Sequence, residues 1–138
     1  MKKIITPFIV FMLCLLPACS GDSSQTGSAN PNSPAYENIT AIVAYEMMQK
    51  LDNFILLDVR SSAEFRDLRI PGAILIPVNE LEGRAEAELP DKNEVIFVYC
   101  RAGVRATNAA RILVEKRYTQ VFNMGGILDW PYETASGD

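Results

Sequence analysis

Residues 95–113 read VIFVYCRAGVRATNAARIL. Four of the first five residues are apolar, as in a buried strand, and the alanine-rich second half is typical of a helix that begins near Gly103. Cys100 therefore stands where a strand gives way to a helix, with Arg101 and Arg105 beside it. A lone thiol in this position needs either a packing or a chemical explanation.

Strand-like and helix-like segments alternate on both sides of this stretch. The apolar runs FILLDV (54–59), AILIPV (73–78), EVIFVY (94–99) and VFNM (121–124) predict strands, with helices between them. This alternation indicates an α/β fold with a parallel sheet and helices on its faces. Ligands of such sheets sit beyond the carboxyl ends of the strands, and we expect Cys100 to follow its strand there instead of lying buried within it.

Polar residues predict where three of the helices begin. Thr40 and Asn79 each precede a helical segment, and Ser61 with Glu64 three residues later forms the pattern of a capping box. The apolar face of the first helix is expected to consist of Ile42, Met47 or Tyr45, and Leu51.

The first 18 residues have the features of an export signal. Lys2 and Lys3 precede an apolar run from Ile4 to Ala18, which is shorter than the roughly 20 residues of a spanning helix. We therefore assign residues 1–18 to a signal peptide, with an uncleaved membrane anchor as the alternative.

The end of this run, Leu-Pro-Ala-Cys, resembles the lipobox of bacterial lipoproteins, in which the cysteine receives lipid. This resemblance implies lipidation of Cys19, with an ordinary signal peptide as the alternative, and Ser20 points to sorting to the outer membrane. Residues 19–35 are rich in Ser, Gly, Asn and Pro and predict a lipid-anchored flexible tether. The expected protein is exported, faces the periplasm and is bound to a lipid membrane, with a folded domain at 36–135.

Composition excludes several kinds of site. The chain has no histidine, which removes Ser-His-Asp and Cys-His catalysis and His-ligated metals. The net charge of −4 and the lack of a basic block argue against nucleic acid as a partner. We expect no metal and no cofactor. Cleavage of the signal and lipidation of Cys19 would leave Cys100 as the only free thiol.

The residues after Cys100 predict an environment that favours a thiolate. The first turn of a helix presents unpaired N–H groups and partial positive charge, and a loop of small residues lets N–H groups converge on an anion. Gly103 permits such a loop, and Arg101 and Arg105 add positive charge. A thiol there is expected to ionise without a histidine base. A buried structural cysteine is the competing explanation.

These motifs together resemble the rhodanese family of single-domain sulfurtransferases. The segments LLDVRSSAEFRDLRIPGAILIP and VYCRAGVRA, followed by Gly-Gly and Trp130, occur in the family's order between about Tyr36 and Trp130. The resemblance implies a rhodanese-like α/β fold with a central parallel sheet of about five strands and helices on both faces. It also implies transfer of sulfane sulfur from a small anionic donor, such as thiosulfate, to cyanide or a thiol acceptor.

The resemblance also assigns roles to the residues of the loop. Cys100 matches the nucleophile that carries the persulfide. The residues expected to bind the anionic sulfur are Arg101, Ala102, Gly103, Val104 and Arg105. For the two arginines the alternative is a solvated side chain or a tie to a nearby carboxylate, and Arg105 is the better candidate for such a tie. Leu68-Arg69 stands where the family commonly has Gly-His, which could alter donor preference or only the packing of the loop.

Two other functions stay open at this point. Related phosphatases and arsenate reductases use Cys…Arg loops with five intervening residues, whereas four lie between Cys100 and Arg105. Some rhodanese domains are non-catalytic binding modules, usually without the cysteine. Asp58 and Arg60 are expected to tie loops together, and Gly125-Gly126 to form a turn or the rim of the pocket.

Overall fold

The computed structural model describes residues 35–137, and the predicted signal peptide and nearly all of the predicted tether lie outside this range. The five strands are β1 (Glu37–Asn38), β2 (Ile55–Asp58), β3 (Ile74–Leu75), β4 (Val95–Cys100) and β5 (Gln120–Gly126). The four α-helices are α1 (Ala41–Met48), α2 (Ser62–Asp67), α3 (Val78–Glu88) and α4 (Val104–Glu115), and Ile127–Asp129 forms a 3₁₀ turn. None of the helices within 35–137 has the length and apolar character needed to cross a bilayer.

The strands form one parallel sheet in the order β1-β5-β4-β2-β3. The predicted fold class is therefore confirmed: a five-stranded parallel sheet with helices on both faces. Strand β4 is central, between β5 and β2, and its residues are almost entirely buried. Since all strands run in one direction, the loops after β2, β4 and β5 meet at a single edge of the sheet.

Alternate residues of β4 belong to different core clusters. Ile96, Val98 and Cys100 pack with buried residues of α3 and α4. Phe97 and Tyr99 pack with buried residues of α1 on the opposite face. This alternation follows from the pleat of a strand, which points successive side chains to opposite faces. Cys100 is thereby directed to the face that α4 covers.

Two of the predicted helix starts are confirmed. The Thr40 side chain accepts a hydrogen bond from the Val43 N–H at 3.3 Å and caps α1. Ser61 and Glu64 form the reciprocal capping box that precedes α2: the Ser61 hydroxyl accepts from the Glu64 N–H, and the Glu64 carboxylate accepts from the Ser61 N–H. Both motifs depend on neighbouring residues only, which is why sequence spacing reveals them.

The predicted start of α3 at Asn79 was wrong. The helix begins at Val78, after Pro77, and has no side-chain cap. The Val78 N–H donates to the Val59 carbonyl at 3.1 Å, so the chain enters the helix directly from the sheet. The same transition shortens the predicted strand at 73–78 to Ile74–Leu75, because Pro77 has no N–H with which to extend the ladder.

The predicted apolar face of α1 was wrong at Ile42, whereas Met47 and Leu51 are partly buried and pack against the core as expected. Ala41, Ala44 and Met48 are buried, whereas Ile42 is 52% exposed. The buried positions are three and four residues apart and so share one face of the helix. Small alanine side chains let this face approach the sheet closely. A rule that places the largest apolar side chains inward therefore wrongly selects Ile42 and misses the two alanines.

Candidate active site

Cys100 is the last residue of β4 and is only 1% exposed. The expectation that the thiol follows the strand and is not buried was therefore wrong. Pairing between β4 and β5 continues past an irregularity at Val98 and ends with Cys100 opposite Gly126. This last pair holds Cys100 inside the strand at the carboxyl edge of the sheet.

The sulfur of Cys100 faces the backbone of the following loop. The Gly103 N–H donates a hydrogen bond to Cys100 Sγ at 3.0 Å. Gly103 has a φ of +99° and directly precedes α4, so the chain folds back over the sulfur as it enters the helix. Glycine adopts this left-handed backbone conformation without the strain that a Cβ would introduce. The sulfur thus lies at the amino end of α4, where the helix dipole favours negative charge.

The other loop residues form the solvent-facing side of this turn. Arg101 and Ala102 are exposed, and Val104 is 82% exposed. Within residues 35–137, Arg101 takes part in none of the ion pairs. Its charge is therefore available to attract an anion that approaches the loop from solvent.

Gly126 allows the loop to lie directly on β5. A Cβ at this position would come within 2.7 Å of the Ala102 Cα and would also collide with the Arg101 carbonyl. The Leu128 N–H donates to that same carbonyl at 3.3 Å. The sequence indicated a glycine turn here but gave no reason to expect a backbone packed against it. Gly126 is therefore a supporting residue of the site.

Arg105 is held by a carboxylate of α2. Its Nη1 donates to Glu64 Oε2 and its Nη2 to Glu64 Oε1, both at 2.8 Å. The paired hydrogen bonds match the planar guanidinium to the planar carboxylate. The sequence predicted Arg105 as a ligand for the substrate, with a tie to a nearby carboxylate as the alternative, and Glu64 only as a helix cap. The structure places the Arg105 guanidinium on Glu64, and its role in binding substrate stays a prediction.

The charges of this pair shift both pKa values. The hydrogen bond from Arg105, with further hydrogen bonds from Ser61, lowers the pKa of Glu64 to about 2. The hydrogen bond to Glu64 raises the pKa of Arg105. The pair therefore stays ionised at every pH at which the protein is expected to act.

Asp58 and Arg60 form a second ion pair at the end of β2. Arg60 is 4% exposed and Asp58 is fully buried, and their closest nitrogen and oxygen atoms are 2.7 Å apart. The Arg60 backbone N–H also donates to the Asp58 carboxylate at 2.9 Å, and its guanidinium donates to the Leu68 carbonyl. Both carboxylate oxygens are occupied by Arg60, as expected for a pair that ties loops together.

Arg69, at the family's common histidine position, contacts the C-terminal segment. Its backbone exchanges two hydrogen bonds of 2.8 Å with Ala135. Its guanidinium donates to the Gly137 carbonyl and lies 5.0 Å from the centre of the Phe65 ring. These contacts give Arg69 a packing role, since they fasten residues 135–137 to the end of α2.

A cavity of about 320 Å³ opens beside the loop, at the carboxyl ends of β2 and β3. Segments 59–62 and 77–80 line it together with Arg105. Among residues 35–137, no group of three or more Cys, Asp or Glu side chains is arranged to hold a metal ion. The arrangement can instead hold a sulfur anion by main-chain hydrogen bonding and nearby positive charge.

Comparison with known proteins matches residues 40–132 to the model of the rhodanese-like domain. This chain belongs to the rhodanese-like domain family. It is 41% identical over 73 residues to the thiosulfate sulfurtransferase PspE of Escherichia coli, covering 53% of this chain and 70% of that protein. It is 34% identical over 80 residues to a sulfurtransferase of Allochromatium vinosum, covering 57% of this chain and 73% of the relative.

A solved structure of a rhodanese with anions from E. coli is also similar to this rhodanese-like domain. The sequence identity is 36%, the TM-score is 0.58, and the match covers 62% of this chain and 100% of the other. Together with the named relatives, this neighbour supports sulfurtransferase activity in general terms. It also confirms the predicted resemblance.

Replacing Gly126 with alanine tests whether the rhodanese loop depends on its close approach to β5. We expect Gly126→Ala to lower the free energy of unfolding by about 1–3 kcal/mol, because backbone atoms cannot rotate out of the way as side chains do. Urea denaturation measures this. Gly83→Ala is the matched control: nothing lies within 4 Å of a Cβ at that position in α3, and alanine there should stabilise by about 0.5–1 kcal/mol. Equal stability of the two variants would contradict the proposed constraint.

Acid titration tests the Glu64–Arg105 pair. The folded-state pKa of Glu64 is about 2, below its ordinary 4.5, so its stabilising contribution is present above pH 4.5 and is lost as the pH falls toward 2. We expect Glu64→Gln to be less stable than the wild type by about 1 kcal/mol at pH 7, a modest value because the pair is partly solvated. The difference should shrink at pH 3. If the free energies of unfolding of Glu64→Gln and the wild type differed by the same amount at pH 7 and at pH 3, this role would be excluded.

Proposed function

We propose that this protein is a sulfurtransferase that takes sulfane sulfur from thiosulfate or a similar donor. Cys100 holds the sulfur as a persulfide and passes it to cyanide or to a thiol. The observation that carries the proposal is the hydrogen bond from the Gly103 N–H to Cys100 Sγ at the start of α4. It places a nucleophilic sulfur where main-chain donors and a helix dipole stabilise negative charge.

In the first step, the Cys100 thiolate attacks the outer sulfur of thiosulfate. A sulfur–sulfur bond forms to Cys100, the original sulfur–sulfur bond breaks, and sulfite leaves with the bonding electron pair. An attack by the thiolate itself needs no proton acceptor. This suits a chain without histidine.

In the second step, cyanide or a thiolate attacks the outer sulfur of the persulfide. The acceptor gains the sulfur as thiocyanate or as a new persulfide, and Cys100 leaves as the thiolate that began the cycle. The charge is carried by sulfur on Cys100 at both stages. The same loop of N–H groups can therefore serve both, since a sulfur–sulfur bond moves the outer atom only about 2 Å from Sγ.

The exposed Arg101 is the group best placed to attract the donor. Its charge lies in the loop and is not compensated by an ion pair within residues 35–137. The similarity to a rhodanese solved with anions supports the binding of anions by this domain. Attraction by Arg101 would act before contact, whereas the backbone N–H groups would act on the sulfur once it is bound.

The burial of Cys100 favours a second candidate, a non-catalytic rhodanese-fold module that binds a partner. At 1% exposure the thiol is covered by the loop. The loop that follows Cys100, however, lies at the surface: Arg101 and Ala102 are exposed and Gly103 is half-buried. Because Sγ accepts a hydrogen bond from the backbone of that loop, we favour the enzyme.

Sulfur loading distinguishes the enzyme from the binding module. Protein purified from cells that produce the full chain is incubated with thiosulfate without reductant. Its mass is then measured both intact and after digestion to peptides. We expect the gain of one sulfur atom on the peptide that contains Cys100, its removal by cyanide, and no gain there in Cys100→Ser. An unchanged mass of the wild type would favour the binding module.

We also propose that the chain is an exported lipoprotein, anchored through Cys19 and facing the periplasm from the outer membrane. The support is the sequence pattern of residues 1–20, which lie outside the described part of the chain. A tether at 19–35 would let the domain meet small donors away from the bilayer surface. A single acyl chain binds membranes only weakly, so stable anchoring through Cys19 would require more than one acyl chain.

Labelling with an alkyne fatty acid tests this anchor in bacteria that produce the full chain. We expect the wild-type protein to carry label and to sediment with outer-membrane markers, and Cys19→Ala to lose both properties. Cys14→Ala is the matched control, since it removes a cysteine from the same apolar run but not from the lipobox. Equal labelling of the wild type and Cys19→Ala would rule out lipidation at Cys19.

A further inference from the structure

Glu64 lies close to the loop of Cys100 without belonging to it. We propose that Glu64 determines how strongly the site selects donors by their charge, because it neutralises Arg105. The inference rests on the proposed sulfurtransferase function. It assigns to a residue of α2 a role in specificity that neither the loop motif nor the helix cap implies.

The side chains of Glu64 and Arg105 are in direct contact through two hydrogen bonds. Two hydrogen bonds of 2.8 Å join the Arg105 guanidinium to the two oxygens of the Glu64 carboxylate. The residues are 41 positions apart in the chain, so the fold alone brings them together. Both side chains remain partly accessible, at 36% for Arg105 and 27% for Glu64. Solvent or a donor anion can therefore reach the pair.

Ser61 holds the carboxylate in place independently of Arg105. Glu64 Oε2 accepts from the Ser61 N–H at 3.1 Å and from the Ser61 hydroxyl at 2.9 Å. The carboxylate is thus oriented by the capping box of α2 before any substrate binds. Arg105 follows this orientation, because turning toward the sulfur would break two charge-assisted hydrogen bonds.

The Glu64–Arg105 pair has a net charge close to zero, so it exerts little net force on an anion bound at the loop. An isolated guanidinium attracts a dianion with twice the energy with which it attracts a monoanion, but the field of an ion pair falls off more steeply with distance. Arg105 lies in the first turn of α4, two residues after the Gly103 N–H that binds Cys100 Sγ, and it lines the cavity beside the loop. Removing the Glu64 charge should therefore expose a full positive charge to whatever binds at the sulfur.

Steady-state kinetics with two donors of different charge tests the proposal. The donors are thiosulfate, a dianion, and benzenethiosulfonate, a monoanion, with cyanide as the common acceptor. For Glu64→Gln we expect the KM for thiosulfate to fall by about tenfold and that for benzenethiosulfonate by about threefold, because the interaction scales with charge. Both effects should shrink at high salt. Glutamine keeps the size of the side chain and its hydrogen-bonding oxygen.

Substitution of both partners provides the strictest check. Arg105→Gln alone leaves Glu64 unpaired and should raise the KM for thiosulfate by about tenfold. In the double variant Glu64→Gln/Arg105→Gln, both charges are gone, and we expect the KM to return to near the wild-type value. If the double variant stayed as poor as Arg105→Gln, Arg105 would bind the donor directly and the proposal would be overturned.

Two further variants separate charge from structure. Glu86→Gln removes one negative charge from an ion pair with Lys92 just before β4, at the other end of the strand from Cys100, and should leave both KM values unchanged. Thr40→Ala removes the cap of α1 and keeps both charges of the pair, so it should lower stability without changing the ratio of the two KM values. An equal change of that ratio in Thr40→Ala and Glu64→Gln would show a merely structural role.

The outcome also distinguishes this proposal from the function on which it rests. If the wild-type protein gains no sulfur on Cys100, the sulfurtransferase function itself fails. If the wild type is active and Glu64→Gln has the same KM for both donors as the wild type, only the role of Glu64 is refuted.

Discussion

The pairing of Cys100 with Gly126 at the ends of two parallel strands is the constraint on which the site depends. Because a side chain at Gly126 would occupy the space of the loop backbone, the chain after Cys100 can lie directly on β5. That position sets where α4 begins and turns the Gly103 N–H onto the sulfur. The thiol is thus positioned by main chain, through the strand pairing and the Gly103 N–H, and it belongs to the core cluster formed with buried side chains of α3 and α4.

Features that depend on near neighbours could be predicted from the sequence. The capping box of Ser61 and Glu64 spans three residues, and the apolar runs that became β2 and β4 are continuous, so each pattern is visible locally. From such elements the parallel α/β sheet followed, because alternating strands and helices leave few other arrangements. The position of Cys100 at the carboxyl edge followed from the same reasoning.

Features that depend on contacts between distant segments could not be predicted. Nothing near Glu64 in the sequence indicates that its carboxylate binds Arg105, since the fold first brings α2 beside the loop. The exposure of Ile42 likewise depends on how closely α1 packs on the sheet, which alanine at position 44 permits. The burial of Cys100 depends on where β5 ends, a property of the partner strand and not of β4.

The two arginines of the loop therefore have different electrostatic roles although they lie four residues apart. Arg101 presents its charge to solvent and can draw an anion toward a protein whose overall charge is −4, whereas the charge of Arg105 is balanced by Glu64. In the proposed reaction with thiosulfate, two uncompensated guanidinium groups would also hold the anionic product sulfite and slow its departure. The loop instead uses main-chain N–H groups to bind the sulfur and Arg101 to attract the donor. It thereby avoids slow release of the product, because N–H dipoles act mainly at short range.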